Sequence, residues 1–242
     1  MPHFFINSSS ISDNTVKVTD TLLLNHLVKS LRVKEGEALL FFDENKMRYE
    51  TQIMSVSKEC LTAKIGKKYI SNRYTDLNIY LACSIIKPDA FAELISGVTQ
   101  LGIKGLYPLY TDNCAVSKAQ IANKTQKWQK ISEESVKQCE RADFMTVYET
   151  SFLNDFDFSK FDKIIVFSEL ETKNTLKQIL RTNICKNDKI LVITGPEGGF
   201  SKQEFEFFEK KKFLTAKISN LILKAQTACV SGISDIIYEL SD

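Results

Sequence analysis

The sequence predicts an α/β fold, and three features of the chain lead to this prediction. From Leu77 onward, short apolar runs typical of buried strands alternate with amphipathic stretches typical of helices. Such alternation favours a doubly wound, mostly parallel sheet. Residues 1–71 instead show the polar–apolar alternation of β-strands. A glycine-rich loop, Thr194–Ser201, joins a predicted strand to a predicted helix, which is where open α/β sheets bind ligands.

Residues 1–71 are predicted to form a small β-rich domain with one helix. Asp20 is the expected N-cap of that helix, because its side chain can accept from a first-turn amide. The helix is expected over 20–31, and the strands over 15–18, 38–42, 47–56 and 60–65.

Residues 72–242 are predicted to form the α/β domain, after a polar and basic stretch, Lys67–Asp76, that marks the boundary. Pro88 at a first-turn position and Gly102 after the last turn delimit the first helix of this domain. Strands are expected over 77–83, 103–109, 163–167 and 189–193, and helices over 88–101, 124–140, 173–181, 201–212 and 224–240.

Composition excludes several classes of protein. The net charge is only +2, so any nucleic-acid site must be a local patch of basic residues. The six cysteines form no C-x-x-C pair, which favours reduced thiols and a cytoplasmic protein. With His3 and His26 as the only histidines, we expect no metal site. No apolar run approaches the ~18 residues of a membrane span.

The glycine loop matches neither of the common phosphate-binding patterns, G-x-G-x-x-G and the P-loop. Pro196 stiffens the loop, and Glu197 places a carboxylate among exposed amides, which suits a ligand that carries a cation. Ser201 and Glu204 have the spacing of a capping box at the start of the next helix. The alternative is a tight turn whose glycines only supply positive φ angles.

The segment Ile193–Ser201 resembles the signature loop of the SPOUT class of S-adenosylmethionine (SAM)-dependent RNA methyltransferases, and within it the RsmE family. Four further segments resemble the same family, so that the likeness spans essentially the whole chain. They are Ile218–Ala228, Gln100–Ile103, Gln138–Arg141 and His26–Arg32.

The resemblance implies an activity, a fold and partners. The family methylates N3 of a uridine in 16S ribosomal RNA of the small subunit, with SAM as the cofactor. The implied fold is a PUA-like β-barrel RNA-binding domain over residues 1–71, followed by a methyltransferase domain with a deep C-terminal trefoil knot over 72–242. The implied state is a cytoplasmic homodimer without a metal.

The resemblance also assigns roles to residues of this chain. His3 and Lys224 are the catalytic candidates. The expected cofactor-binding residues are Ser168, Glu169, Gly195, Pro196, Glu197, Gly198, Gly199, Ile218, Ser219, Leu221, Leu223 and Thr227. The expected RNA-binding residues are Lys29, Arg32, Lys67, Lys68, Arg73 and Arg141, as phosphate binders.

Three departures from the family pattern leave alternatives open. Leu221, Lys224 and Gln226 stand where the family has Arg, Arg and Glu. Lysine cannot reproduce the planar fork of arginine, so the second hypothesis is a non-catalytic or weakly active RNA-binding relative. A third hypothesis is a nucleotide-binding α/β enzyme, which would bind a phosphate ligand.

Overall fold

The computed structural model describes residues 3–241 and divides them into two compact units. The first unit contains the chain up to Tyr74 together with Lys137–Asp143, and the second contains Thr75–Val136 and the chain from Phe144 onward. The predicted domains also included Met1, Pro2 and Asp242, which lie outside the described residues. Nothing in the sequence indicated that the short segment Lys137–Asp143 packs with the first unit.

The first unit is built on a six-stranded sheet in the order β1-β4-β5-β6-β3-β2. β1 runs parallel to β4, and the other neighbours are antiparallel. The strands are β1 (His3–Phe5), β2 (Ile11–Ser12), β3 (Thr15–Val18), β4 (Ala38–Phe42), β5 (Met47–Val56) and β6 (Leu61–Ile70).

The predicted helix accompanies this sheet, together with a 3-10 turn over Ser8–Ser10. Helix α1 (Thr21–Asn25) begins at Asp20, whose carboxylate accepts a hydrogen bond from the Leu23 amide at 2.8 Å, and it continues as a π-helical turn over His26–Ser30. Leu24 and Leu27 are its buried residues, on the core side of the unit.

Three features of the first unit differ from the sequence prediction. β6 extends to Ile70, so the polar stretch read as a linker is strand at Lys67–Ile70. β1 and β2 were not predicted, because two or three residues are too short for a period-two pattern and these strands depend on their pairing with β4 and β3.

The second unit contains a seven-stranded parallel sheet, which confirms the predicted α/β architecture. The order is β10-β8-β7-β12-β11-β13, with β9 beside β8, and every pairing is parallel. The strands are β7 (Asn78–Ser84), β8 (Gly105–Tyr110), β9 (Thr146–Val147), β10 (Ser151–Phe152), β11 (Lys163–Phe167), β12 (Lys189–Thr194) and β13 (Leu214–Ala216).

Helices connect these strands, and most of their predicted bounds are confirmed within a few residues. They are α2 (Pro88–Gln100), α3 (Lys118–Ile121), α4 (Thr125–Cys139), α5 (Leu176–Asn183), α6 (Lys202–Lys210) and α7 (Ala225–Leu240). The capping box of Ser201 and Glu204 is present at α6. Helix α5 begins later than predicted, because Thr175 and Gln178 form their own capping box there.

Both faces of the parallel sheet are covered, which explains the continuous apolar runs of its central strands. Ile190 and Val192 belong to the core formed with α2, α5 and α7. Leu191 and Ile193 point to the opposite face and share a core with Phe208 of α6.

The path of the chain places two loops at the same edge of this sheet. After β12 the chain passes through α6 and returns as β13, on the far side of β11. The loop after β12 and the loop after β13 therefore lie on either side of the carboxyl end of β11. Crevices at such crossover points are the usual ligand sites of open α/β sheets.

Helix α7 packs against β11 with no room for a side chain at Gly232. A Cβ atom there would overlap the ring of Phe167, the last residue of β11.

We expect Gly232→Ala to lower the free energy of unfolding by about 1–3 kcal/mol, through overpacking. Gly66→Ala is the control, because its Cβ would lie 3.6 Å from the nearest atom, the Glu50 carbonyl oxygen. Equal thermal unfolding temperatures for the two variants would contradict this account.

Candidate functional site

A cavity of about 510 Å³ lies at the carboxyl edge of the parallel sheet, within the second unit. Its volume is in the range of small-molecule sites. One wall is the loop after β12, and the other is the loop Lys217–Lys224 after β13. The floor contains Phe167 and Ser168 at the end of β11, Thr194 at the end of β12, and Ala225 and Ala228 of α7.

The glycines of the first wall are required mainly by close contacts. Only Gly199 has a positive φ, +68°, and its amide donates to the Pro196 carbonyl at 2.9 Å. A Cβ atom at Gly199 would lie 3.2 Å from Oε1 of Glu169, and one at Gly195 would lie 3.2 Å from the Phe200 ring. The alternative in which the glycines only supply positive φ angles is therefore wrong for Gly195.

Two side-chain contacts hold this loop against the ends of neighbouring strands. Nδ2 of Asn113, three residues after β8, donates to the carbonyl oxygens of Gly199 at 3.0 Å and of Gly198 at 3.3 Å. Oε1 of Glu197 accepts from the Lys87 amide at 3.2 Å, just before α2. Glu197 thus lines the cavity and also fixes the loop to the start of α2.

A buried carboxylate holds the far end of the loop. Oε2 of Glu204 accepts from the Ser201 amide at 2.8 Å, and its Oε1 accepts from the Asp112 amide at 3.0 Å. Ser201 Oγ donates to Oδ2 of Asp112 at 2.6 Å. Burial raises the pKa of Glu204, although the two amide hydrogen bonds oppose this shift. The segment Asp112–Asn113 therefore positions the loop, a role that sequence reasoning missed.

The second wall combines an apolar rim with an internal hydrogen bond. Ser219 Oγ accepts from the Leu221 amide at 3.0 Å, which fixes the turn. Leu221 and Ile222 are 76% and 89% exposed, so their side chains stand at the mouth of the cavity. Ser168, on the floor, is buried and accepts from the Leu170 amide. A flat apolar group could pack on this rim while polar atoms remain available below it.

The structure brings ten of the twelve predicted cofactor residues to this cavity. They are Ser168, Glu169, Gly195, Pro196, Glu197, Gly199, Ile218, Ser219, Leu221 and Leu223.

Gly198 and Thr227 are not among the described lining residues. Gly198 faces the side chain of Asn113, and Thr227 lines a separate groove between α2 and α7. Sequence reasoning missed the lining residues Phe167, Thr194, Ala225, Gln226 and Ala228, and also Lys87, Ala90 and Phe200. Their position at the end of a predicted strand or near the start of a predicted helix was the sequence signal that could have identified them as lining residues.

The two catalytic candidates lie in different units. Lys224, the N-cap residue of α7, is exposed and lines the cavity. His3 lies on β1 of the first unit, where its Nε2 is buried without a hydrogen-bond partner among residues 3–241. Desolvation lowers the pKa of His3 below 6.5 and the Arg48 guanidinium adds to this, whereas the Glu140 carboxylate and the Lys137 carbonyl oppose it.

The predicted phosphate binders divide into free and paired cations. Lys29, Arg32, Lys67 and Lys68 are exposed. Arg73 pairs with Glu140 at 2.6 Å. Arg141 is only 4% exposed, and its Nε donates to Asp143 at 2.8 Å. The assignment of Arg141 as a phosphate binder is therefore wrong, because its charge is buried and neutralised within the first unit.

Comparison with known proteins assigns the family. Residues 73–236 match the model of the RNA methyltransferase domain. The chain belongs to this family. It is 25% identical to the Ribosomal RNA small subunit methyltransferase E of Rickettsia conorii over 96% of this chain and 93% of that protein. It is 23% identical to the Bacillus subtilis protein of the same name, over 89% of this chain and 87% of that protein. The family resemblance found in the sequence is thereby confirmed.

A solved structure shares the fold. The Ribosomal RNA small subunit methyltransferase E of Neisseria gonorrhoeae, bound to S-adenosyl methionine, has a TM-score of 0.82 and 21% identity, covering 98% of this chain and 97% of that chain.

Within residues 3–241, no cluster of three or more His, Cys, Asp or Glu side chains could hold a metal ion. The described helices include none with the length and apolar character that a membrane crossing needs.

The pH dependence of stability tests the environment of His3. Because its pKa is lower in the folded state than in the unfolded state, the unfolded chain binds more protons below pH 6.5, and stability falls as the pH decreases through that region. We expect the unfolding temperature of His3→Gln to decrease less between pH 7 and pH 5 than that of the unmodified protein. His26→Gln, which replaces the exposed histidine, is the control. An equal decrease of the unfolding temperature with pH in His3→Gln and in the unmodified chain would contradict the lowered pKa of His3.

Proposed function

We propose that this protein is a SAM-dependent methyltransferase that modifies N3 of a uridine in 16S ribosomal RNA of the small subunit. One observation carries the proposal. In a chain of the RNA methyltransferase family, the loops Gly195–Gly199 and Ile218–Lys224 face each other across a cavity of cofactor size.

The residues present fit SAM. Leu221, Ile222 and Leu223 supply apolar contacts for an adenine ring, and the backbone of the glycine loop supplies the polar groups that a nucleoside needs. Glu169 and Glu197 add carboxylates that suit hydroxyl groups and a positively charged ligand. The missing Cβ atoms at Gly195 and Gly199 let the Phe200 ring and the Glu169 carboxylate pack closely on this loop, beside the cavity.

The reaction requires positioning and the acceptance of one proton. When bound, SAM supplies an electrophilic methyl group on a sulfonium. The uracil N3 atom forms the new N–C bond as the S–C bond breaks, and the N3 proton passes to an acceptor. His3 is the candidate for that role, because imidazole is a common proton acceptor and desolvation lowers the pKa of His3. Lys224, at the cavity, is suited to stabilise negative charge on a uracil oxygen.

Several finer expectations belong to the same proposal. They are the trefoil knot, the PUA-like barrel over residues 1–71, the methyltransferase domain over residues 72–242, the cytoplasmic location and RNA contacts by Lys29, Arg32, Lys67, Lys68 and Arg73.

The homodimer is also part of the proposal. A groove of about 500 Å³ lies between α2 and α7, with Leu101 and Val230 among polar residues, and we propose this face as the one that meets a second copy of the chain. Light scattering of the purified protein measures this state.

The decisive experiment is transfer of a tritiated methyl group from SAM to small ribosomal subunits that lack the modification. We expect incorporation at one uridine, located by mapping the modified base in 16S RNA. Fully modified subunits are the control and should accept no label. Absence of incorporation, with SAM binding retained in calorimetry, would instead support the hypothesis of a non-catalytic relative. The exposed Leu221 and the uncharged Gln226 at the cavity favour that hypothesis.

The same assay separates the two catalytic candidates. A proton acceptor at His3 predicts that His3→Gln lowers turnover by at least tenfold without changing SAM affinity, since general-base contributions are typically 10²–10⁴-fold. Lys224→Gln, which removes a charge at the cavity, is compared under the same conditions. Unchanged turnover in His3→Gln would remove His3 from the mechanism.

The contact of Asn113 with the glycine loop gives a further prediction. Asn113→Ala removes both hydrogen bonds to the loop and should weaken SAM binding by about tenfold, at ~1 kcal/mol per hydrogen bond with partial replacement by water. Asn113→Asp, which has the same shape but cannot donate, should weaken it at least as much. Asn78→Ala, at the amino end of β7, is the control. Calorimetric affinities for SAM that are equal in all four proteins would contradict this role.

A further inference from the structure

The first unit has an open strand edge that the cofactor site does not explain. β6 pairs with β5 on both sides of an irregularity at Gly66, but β3 pairs only with Leu61–Lys64, and the Ile65 amide donates to the Asn14 carbonyl. On the side away from β5, Gly66–Ile70 has no strand partner among residues 3–241. We name this segment the β6 edge. Its five residues are all exposed.

A cation and an aromatic ring lie together on one face of this strand. The ammonium group of Lys67 lies 5.2 Å from the centre of the Tyr69 ring. Lys68 and Ile70 point to the other face, since successive side chains of a strand alternate. Beyond the end of β6, on the β5 side, Lys46 Nζ lies 3.6 Å from the centre of the Tyr74 ring, and the Lys46 carbonyl accepts from the Ser71 amide. Tyr69 is 36% exposed and Ile70 is 69% exposed. Stacking surface and positive charge are therefore available on the same five-residue strand.

The lysines of the edge form no ion pair with the described residues, although Glu50 is the cross-strand neighbour of Lys67. In the described part of the chain, no carboxylate oxygen lies within 4.0 Å of the ammonium groups of Lys46, Lys67 or Lys68. Arg73, by contrast, is paired with Glu140. Since the whole chain carries a net charge of only +2, this is the kind of local basic patch that nucleic-acid binding requires.

Protection against aggregation explains only part of this arrangement. Lysines on an open edge commonly prevent pairing between copies of a chain. Exposed Tyr69 and Ile70 have the opposite tendency, because they add apolar area to the edge. Aromatic rings beside unpaired cations are instead typical of surfaces that bind single-stranded nucleic acid, where bases stack and phosphates pair with lysine.

We propose that the β6 edge binds an unpaired segment of the RNA substrate. A base stacks on Tyr69, phosphates contact Lys67 and Lys68, and the outward amides of the strand donate to phosphate oxygens. An unpaired segment is required because the faces of bases are not accessible within a duplex. The inference rests on the proposed function and adds a site to it, on a unit other than the one that contains the cofactor cavity.

The test measures binding of a labelled single-stranded RNA, and separately of small ribosomal subunits, to the full-length protein. Tyr69→Ala should weaken binding of the oligonucleotide by about tenfold, and Tyr69→Phe should retain it, because only the ring is required for stacking. Lys67→Ala with Lys68→Ala should reduce the slope of log K against log salt by about 1.4, at ~0.7 for each phosphate contact on a single strand.

Two matched controls lie on the same hairpin. Lys58→Ala removes an exposed lysine from the opposite turn, and Met54→Ala removes an exposed apolar side chain from β5. Both should bind RNA as the unmodified protein does. Unfolding temperatures confirm that each variant is folded.

The outcomes separate this inference from the proposed function. Methyl transfer by the unmodified protein, with unchanged RNA affinity in Tyr69→Ala, would overturn the RNA site and leave the function in place. Reduced RNA binding in Tyr69→Ala without methyl transfer by the unmodified protein would support the RNA site and remove the function. Binding to ribosomal subunits that depends on Tyr69, with neither oligonucleotide binding nor any effect of the lysines, would indicate a protein strand on this edge and overturn the proposal.

Discussion

The hydrogen bonds that fix the glycine loop are the constraint on which the site depends. A loop rich in glycine is flexible by itself, because glycine has more conformational freedom to lose than any other residue. Here Asn113, Glu197 and buried Glu204 hold it at three points, to the ends of β8 and β7 and to the start of α6. The wall of the cavity is therefore preorganised before any ligand arrives, which reduces the entropic cost of binding.

The opposite wall depends on the order of the strands. Because β13 lies beyond β11, the chain must return across the end of the sheet to begin α7, and the Lys217–Lys224 loop makes this return. The close packing of α7 on Phe167 at Gly232 then sets the position of Lys224 and Ala225 at the cavity. One packing contact of the core thus influences the geometry of the candidate active site.

Charged residues of the first unit serve two physical purposes. Arg48 is buried and donates to the Glu140 carbonyl, so it stabilises the attachment of the segment Lys137–Asp143 to β5, whereas Arg141 is buried and pairs with Asp143 within that segment. Lys67 and Lys68 remain exposed and without a carboxylate partner. Lysines and arginines with equal formal charge in the sequence therefore differ in their availability to phosphate, and only burial and pairing distinguish them.

The sequence alone determined the α/β class, the order of most elements and the family. Strand periodicity, the Ser201–Glu204 capping box and the Gly195–Gly199 loop are local patterns, and local patterns can be read from consecutive residues. The tertiary structure decided the rest. The contacts of Asn113 and Lys87 with the loop join residues 85 to 110 positions apart. The burial of Arg141, the pairing of β1 with β4 and the open β6 edge likewise depend on which strands become neighbours. A single sequence carries no signal for such pairings, because they are set by the packing of distant segments.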